Sequence, residues 1–159
     1  TKREIRQRPG SPGLFLFWTI PLSRWDKSFQ AGVRAHYAAS VLAAPIMIAQ
    51  GSGLIVNVSY FAAQRDDKGV IYGVAKAADD RMVACMAHEL REHRVAVLSL
   101  YPGLVRTEGV MKAADYFDLS NSESPQFIGR AVAAIASDAF PFSTGEVINV
   151  DGGFHLHRL

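Results

Sequence analysis

The chain has 159 residues, enough for one domain with a core and too few for two. Hydrophobic residues make up 49% and charged residues 20%, and a formal net charge of +2 leaves no large basic field for nucleic acid or an anionic membrane. A single cysteine, Cys85, excludes a disulfide framework within the chain and a multi-cysteine zinc site; lying in a helical pattern, it reads as a small packed side chain in a reducing, cytoplasmic setting.

Residues 1 to 13 are basic, rich in Pro and Gly and without period, so a tail over 1–16 precedes a domain over 17–159. The tail and the apolar stretch after it lack the flanks and cleavage site of a signal peptide, and no apolar run approaches the ~18 residues of a membrane span. "LFLFW" (14 to 18) is expected as a short buried strand. From Trp25 to about residue 49, Trp25, Phe29, Val33, Tyr37, Val41 and Ala44 recur every three or four residues, which predicts a helix with one apolar stripe. Pro45 is expected to kink or shorten it, and "QGSG" (50 to 53) to stop it. "LIVNVS" (54 to 59) is a β-branched run typical of a buried strand.

A polar loop, "QRDDKG" (64 to 69), leads into a second long helix, from Tyr72 to His93, with a stripe of Ala75, Ala78, Met82, Cys85, Met86 and Leu90. "VAVLSL" (95 to 100) is the next buried strand, followed by "YPG" and an irregular stretch over 103–124. Pro125 suits the first turn of a helix whose apolar face is Phe127, Ile128, Ala131, Val132 and Ile135. "GEVINV" (145 to 150) is a last strand, closed by "DGG". Strands alternating with long helices indicate parallel βαβ units, so the class is α/β.

Tyr72 and Lys76 stand four residues apart at a helix start, hence on one face, just beyond the loop that follows a parallel strand. Ligands of open parallel sheets bind beyond the carboxyl ends of the strands. A nearby ammonium and the positive helix N-terminus both favour a phenolate, which suits a tyrosine to exchange a proton with a substrate oxygen. Alone, the spacing describes equally well an exposed aromatic beside a surface lysine.

"GLIVNVS", "YGVAKAA", "VAVLSLYPGLVRTE" and "GEVINVDGG", in this order, resemble the second half of a short-chain dehydrogenase/reductase. "FWTIPLSRWDKSFQAGVRAHY" and "AHELREH" resemble most the branch called dehydrogenase/reductase family member 1, and the likeness runs from Phe17 to Phe154. The resemblance implies a partial Rossmann-like parallel sheet and hydride transfer between NAD or NADP and a small-molecule carbonyl or secondary alcohol. Tyr72 would then be the acid/base, Lys76 its tuner and the anchor of the nicotinamide ribose, and Pro102, Gly103, Val105 and Thr107 the wall of the nicotinamide site. Pro102 and Gly103 also read as a simple turn, and Thr107 as a helix cap.

Three departures from the pattern stand out. The family's serine position is Tyr60 here and Ser59 lies one residue earlier, a shift that can turn a hydroxyl to the other face of a strand. Ser59 is nevertheless the serine candidate, with Tyr60 as a second hydroxyl or an aromatic wall. The place of the family's relay asparagine falls at Gly32. The glycine-rich turn that receives the pyrophosphate has no counterpart; Gly10 and Gly13 lack its spacing.

His155 and His157 lie two apart but without a carboxylate at ligand spacing, so no metal site is expected; His93 suits a helix end. The scattered arginines form no stripe for nucleic acid. A substrate loop is expected over 108–124, with Met111, Tyr116 and Phe117 as an apolar lid. The resemblance implies self-association through the helices at 25–49 and 72–93. The rival to an active enzyme is a truncated, inactive half-domain that works only by pairing with itself or with an intact relative.

Overall fold

The computed structural model describes residues 16–66, 68–137 and 143–156. Its frame is a parallel sheet of three strands, β1 (Gly53–Val58), β2 (Val95–Pro102) and β5 (Val147–Val150), in the order β1-β2-β5. Gly53 pairs with Val95 and Val58 with Leu100; Ser99 pairs with Val147 and Pro102 with Val150. The remaining strands, β3 (Leu104–Val105) and β4 (Ser122–Glu123), form a separate two-stranded parallel ladder.

β2 lies in the middle, and its side chains are buried on both faces as in a sheet covered by helices. Alternation sends Val95 and Val97 to one face and Leu98 and Leu100 to the other. The first face packs against α3 (Val70–Leu90), whose Val83, Ala87 and Leu90 meet Ile55, Val95 and Val97. The second face packs against α5 (Pro125–Ile135), where Ile135, Ile128 and Val132 meet Leu98 and Leu100. α5 starts as the residues dictate: Pro125 occupies its first turn and the Ser124 hydroxyl accepts from the Phe127 N–H at 3.1 Å.

Before β1 runs one long helical segment, composed of α1 (Leu22–Ser28), a π-helical stretch (Phe29–Arg34) and α2 (Ala35–Gln50). It continues through Pro45 without shortening. Gly51 ends it, in the left-handed conformation (φ 67°) that spares a glycine any Cβ clash, with its N–H bonded to the carbonyls of Met47 and Ile48. Its apolar stripe is mostly a surface: Tyr37 is 56% and Val41 50% exposed, and only Ser40 is buried in α2. This 29-residue helix, with a mean hydropathy of 1.2 in its most apolar window, is long and apolar enough by length and composition to cross a membrane. The charges of Arg24, Asp26, Lys27 and Arg34 crowd its first half.

Several expectations need correction. Phe17–Thr19 forms an exposed 3-10 turn and no strand, because the Thr19 N–H and hydroxyl both close on the Leu16 carbonyl at 2.8 Å. Leu14 and Phe15 lie outside the described residues. On α3 the buried stripe is Ala75, Asp79, Val83, Ala87 and Leu90. Ala78, Met82 and Met86 are only half-buried and Cys85 is exposed, so Cys85 is not a packed core side chain. The stretch 103–124 is less irregular than its sequence suggests, holding β3, α4 (Glu108–Lys112), a 3-10 turn at Ala114–Tyr116 and β4.

Leu100 is 0% exposed between the two layers, so Leu100→Ala is expected to lower the unfolding free energy by about 2–5 kcal/mol in a urea titration. Tyr116→Ser, at a position 68% exposed, is expected to change it by less than about 0.5 kcal/mol.

Candidate functional site

β1 and β2 are parallel and paired as far as Val58 and Leu100, so their carboxyl ends lie side by side. There a cavity of about 640 Å³ opens, lined by Ser59 and Tyr60 after β1 and by Pro102 and Gly103 at the end of β2. Tyr72 and Lys76 line it from α3, and Val105 and Thr107 from beyond β3. Every residue singled out from the sequence for proton transfer or nicotinamide contact therefore faces one space. It lies beyond the carboxyl ends of parallel strands, where ligands of such sheets bind.

Tyr72 falls in the first turn of α3 and is 39% exposed. Lys76, one turn later, places its ammonium 5.9 Å from the centre of the Tyr72 ring. Two groups hold that ammonium: the Val58 carbonyl at 2.9 Å and the Asp79 carboxylate at 3.5 Å. The serine question resolves into two orientations. Ser59 is buried, and its hydroxyl donates to the Lys76 backbone carbonyl at 3.4 Å, a long bond. The Tyr60 ring packs against Phe61 at 4.4 Å and edge-on to Tyr72 at 6.1 Å.

Gly103 is where β2 turns away. A Cβ built there would lie 3.2 Å from the Asp151 backbone and from a Glu123 carboxyl oxygen, so the close approach favours glycine. Thr107 caps α4 by accepting from the Val110 N–H at 3.4 Å, which leaves its hydroxyl hydrogen for the cavity. Of the expected lid residues only Phe117 lines the cavity, while Met111 (48%) and Tyr116 (68%) are exposed.

Further polar residues support the site or lie on its rim. Asp80, also on α3, accepts from the Ser99 hydroxyl at 2.8 Å and from the Tyr101 hydroxyl, pinning the helix to β2. Burial first, then the bond to Asp80 and its charge, push the Tyr101 phenol far above the usual tyrosine range, with Gln64 and Ser59 pulling partly back. Arg24 and Lys68 add two cations to the rim. Alternating apolar patterns carry no signal for any of these.

Among the described residues no group of three or more His, Cys, Asp and Glu side chains could hold a metal ion, and His157 lies outside them. His155 instead bonds Asp151 at 2.7 Å.

Residues 16–155 match the family model described as enoyl-(acyl carrier protein) reductase. The chain belongs to the short-chain dehydrogenase/reductase family. It is 44% identical over 135 residues to dehydrogenase/reductase SDR family member 1 of Mus musculus, covering 77% of this chain and 43% of that protein. It is 27% identical over 155 residues to the 7alpha-hydroxysteroid dehydrogenase of Bacteroides fragilis, covering 88% and 58%. The structure of a short-chain type dehydrogenase/reductase from Mycobacterium ulcerans superposes with a TM-score of 0.81 at 30% identity, over 88% of this chain and 55% of that one. The chain thus spans about half the length of these relatives, and the partial Rossmann-like sheet agrees with theirs.

Beside the cavity, burial and the neighbouring Asp151 carboxylate raise the Glu123 pKa, partly offset by the Gly103 N–H. A raised carboxyl pKa gives stability that is full below the ordinary glutamate value of 4.5 and is lost as pH rises through the folded value. Glu123→Gln is accordingly expected to raise the melting temperature by a few degrees at pH 7. That gain should vanish below pH 4.5 in a calorimetric pH series.

Proposed function

We propose that the cavity is the catalytic site of an NAD(P)-dependent oxidoreductase that interconverts a carbonyl and a secondary alcohol. The observation that carries this reading is the convergence of Tyr72, Lys76, the Pro102–Gly103 turn and Thr107 on one space at the carboxyl ends of β1 and β2. Lys76 and Thr107 offer an ammonium and a hydroxyl donor at the nicotinamide end, which fits a ribose and a carboxamide. No counterpart to a glycine-rich pyrophosphate turn exists in the sequence, so the fit covers that end only.

The nicotinamide, when bound, supplies or accepts the hydride. Tyr72 gives its phenolic proton to the carbonyl oxygen as that oxygen gains negative charge, and takes it back in the reverse direction. The Lys76 ammonium and the N-terminus of α3 stabilise the phenolate left behind. The Ser59 hydroxyl bonds the substrate oxygen only if it turns from the Lys76 carbonyl; Tyr60 offers the alternative donor. Val110, Phe117 and Ile128 give the cavity an apolar wall suited to the body of a small substrate.

A second reading keeps the site but removes turnover: the chain works by association with a copy of itself or with an intact relative. Two observations favour it. The Asn57 amide nitrogen is buried with no partner among the described residues, on a strand paired on one side only. Leu22, Leu42 and Ile46 are 82%, 74% and 61% exposed on the long helix, an apolar surface suited to a second copy.

Titration with NADH and NADPH, followed by quenching of Trp18 and Trp25, separates the two. The enzyme reading expects saturation at micromolar cofactor, with Lys76→Ala weakening binding about tenfold or more through loss of a charged hydrogen bond. No saturation up to millimolar cofactor would favour the association reading.

A further inference from the structure

α3 buries one charged side chain in an otherwise apolar stripe. Asp79 is 1% exposed between Ala75 and Val83. An ionised carboxylate is strongly disfavoured in such a place unless both oxygens are paired, and an apolar side chain of similar size would serve packing as well or better. Both oxygens are paired here. Oδ2 faces the Lys76 ammonium at 3.5 Å, and Oδ1 meets His36 Nδ1 at 3.0 Å. His36 reaches across from α2, its side chain 32% exposed. Gly32, one turn earlier, offers no side chain there, and a Cβ added to it would meet open space.

The consequence concerns Lys76. An ammonium has three N–H donors. The Val58 carbonyl takes one and Asp79 another, so the direction of the third is set by the protein before any ligand arrives. Lys76 lines the cavity with a side chain only 15% exposed, and that third donor is the one available to a ligand.

We propose that Asp79 and His36 are a pair of positioning residues, in which His36 holds the Asp79 carboxylate and Asp79 holds the Lys76 ammonium in the orientation that serves a ligand hydroxyl. This rests on the oxidoreductase reading for its purpose, but its geometry is testable without cofactor or turnover. Neither residue touches the reacting atoms; both act through Lys76. Because His36 is partly exposed and lies on a different helix, the pair also couples the long helix before β1 to the site.

The test is competitive acetylation of the full chain with trace acetic anhydride, read at Lys76 against Lys112, an exposed lysine on α4, by peptide mass spectrometry. In the wild type Lys76 is expected to react slowly. Asp79→Asn and His36→Phe are expected to raise the Lys76:Lys112 ratio roughly three- to tenfold, since each removes or loosens the hydrogen bond that holds the ammonium in place. His36→Asn keeps an N–H donor near the place of Nδ1 and is expected to restore the wild-type ratio. A ratio unchanged in His36→Phe, with native circular dichroism, would overturn the proposal even if Asp79→Asn failed to fold. Alongside, the NADH titration should show His36→Phe weakening cofactor binding severalfold, with His36→Asn close to wild type. A protected Lys76 in a wild type that binds no cofactor would overturn the functional reading and leave the pair standing. Cofactor binding with equal Lys76 reactivity in all variants would overturn the pair alone.

Discussion

The bond from the Lys76 ammonium to the Val58 carbonyl, 2.9 Å long, joins the end of β1 to the first turns of α3. Its importance is geometric. β1 sits in a fixed register on β2, so whatever pins α3 to β1 also places Tyr72 opposite Pro102 and Gly103. Two further ties work in the same sense: Asp80 to Ser99 and Tyr101 on β2, and Asp79 to His36 on α2. Four polar contacts thus orient a helix whose apolar face alone would tolerate some rotation. Apolar packing against Val83, Ala87 and Leu90 supplies adhesion but little direction, because dispersion and burial are nearly indifferent to small slides.

The same frame bears on how much of a dinucleotide the proposed site addresses. β2 is covered on both faces and paired on both edges, whereas among the described residues β1 has a hydrogen-bonded neighbour on one side only and the Asn57 amide nitrogen has no partner. The end of the cavity proposed for a nicotinamide is lined from the ends of β1 and β2 and from α3. Within residues 1–159 the sequence shows no glycine-rich turn for a pyrophosphate.

Much of the architecture was legible in the residues. The β-branched runs at 54–59 and 95–100 became β1 and β2, Pro125 opened α5, and Gly51 closed the long helix, each through a local preference that packing reinforced. Over its described residues, Leu16 to Trp18, "LFLFW" forms no strand, because hydrophobicity without a partner strand does not make one; Thr19 closes a turn there instead. The α3 stripe was misread by one position for a related reason. Asp79 lies inward and Cys85 outward, which a rule that sorts by polarity inverts. Tyr72, Lys76, Thr107 and the Pro102–Gly103 turn came from motif resemblance. The ties at Asp79, Asp80 and His36 did not, since contacts across 19 to 43 residues leave no local pattern.

Transfer of deuterium from the C4 position of reduced, deuterated nicotinamide cofactor to a mixture of small ketones tests the central claim most directly. Mass spectrometry of the products should find deuterated secondary alcohols with the wild type and none above background with Tyr72→Phe. Absence of deuterium in the products, from a wild-type chain that binds the cofactor saturably, would contradict catalysis at this site.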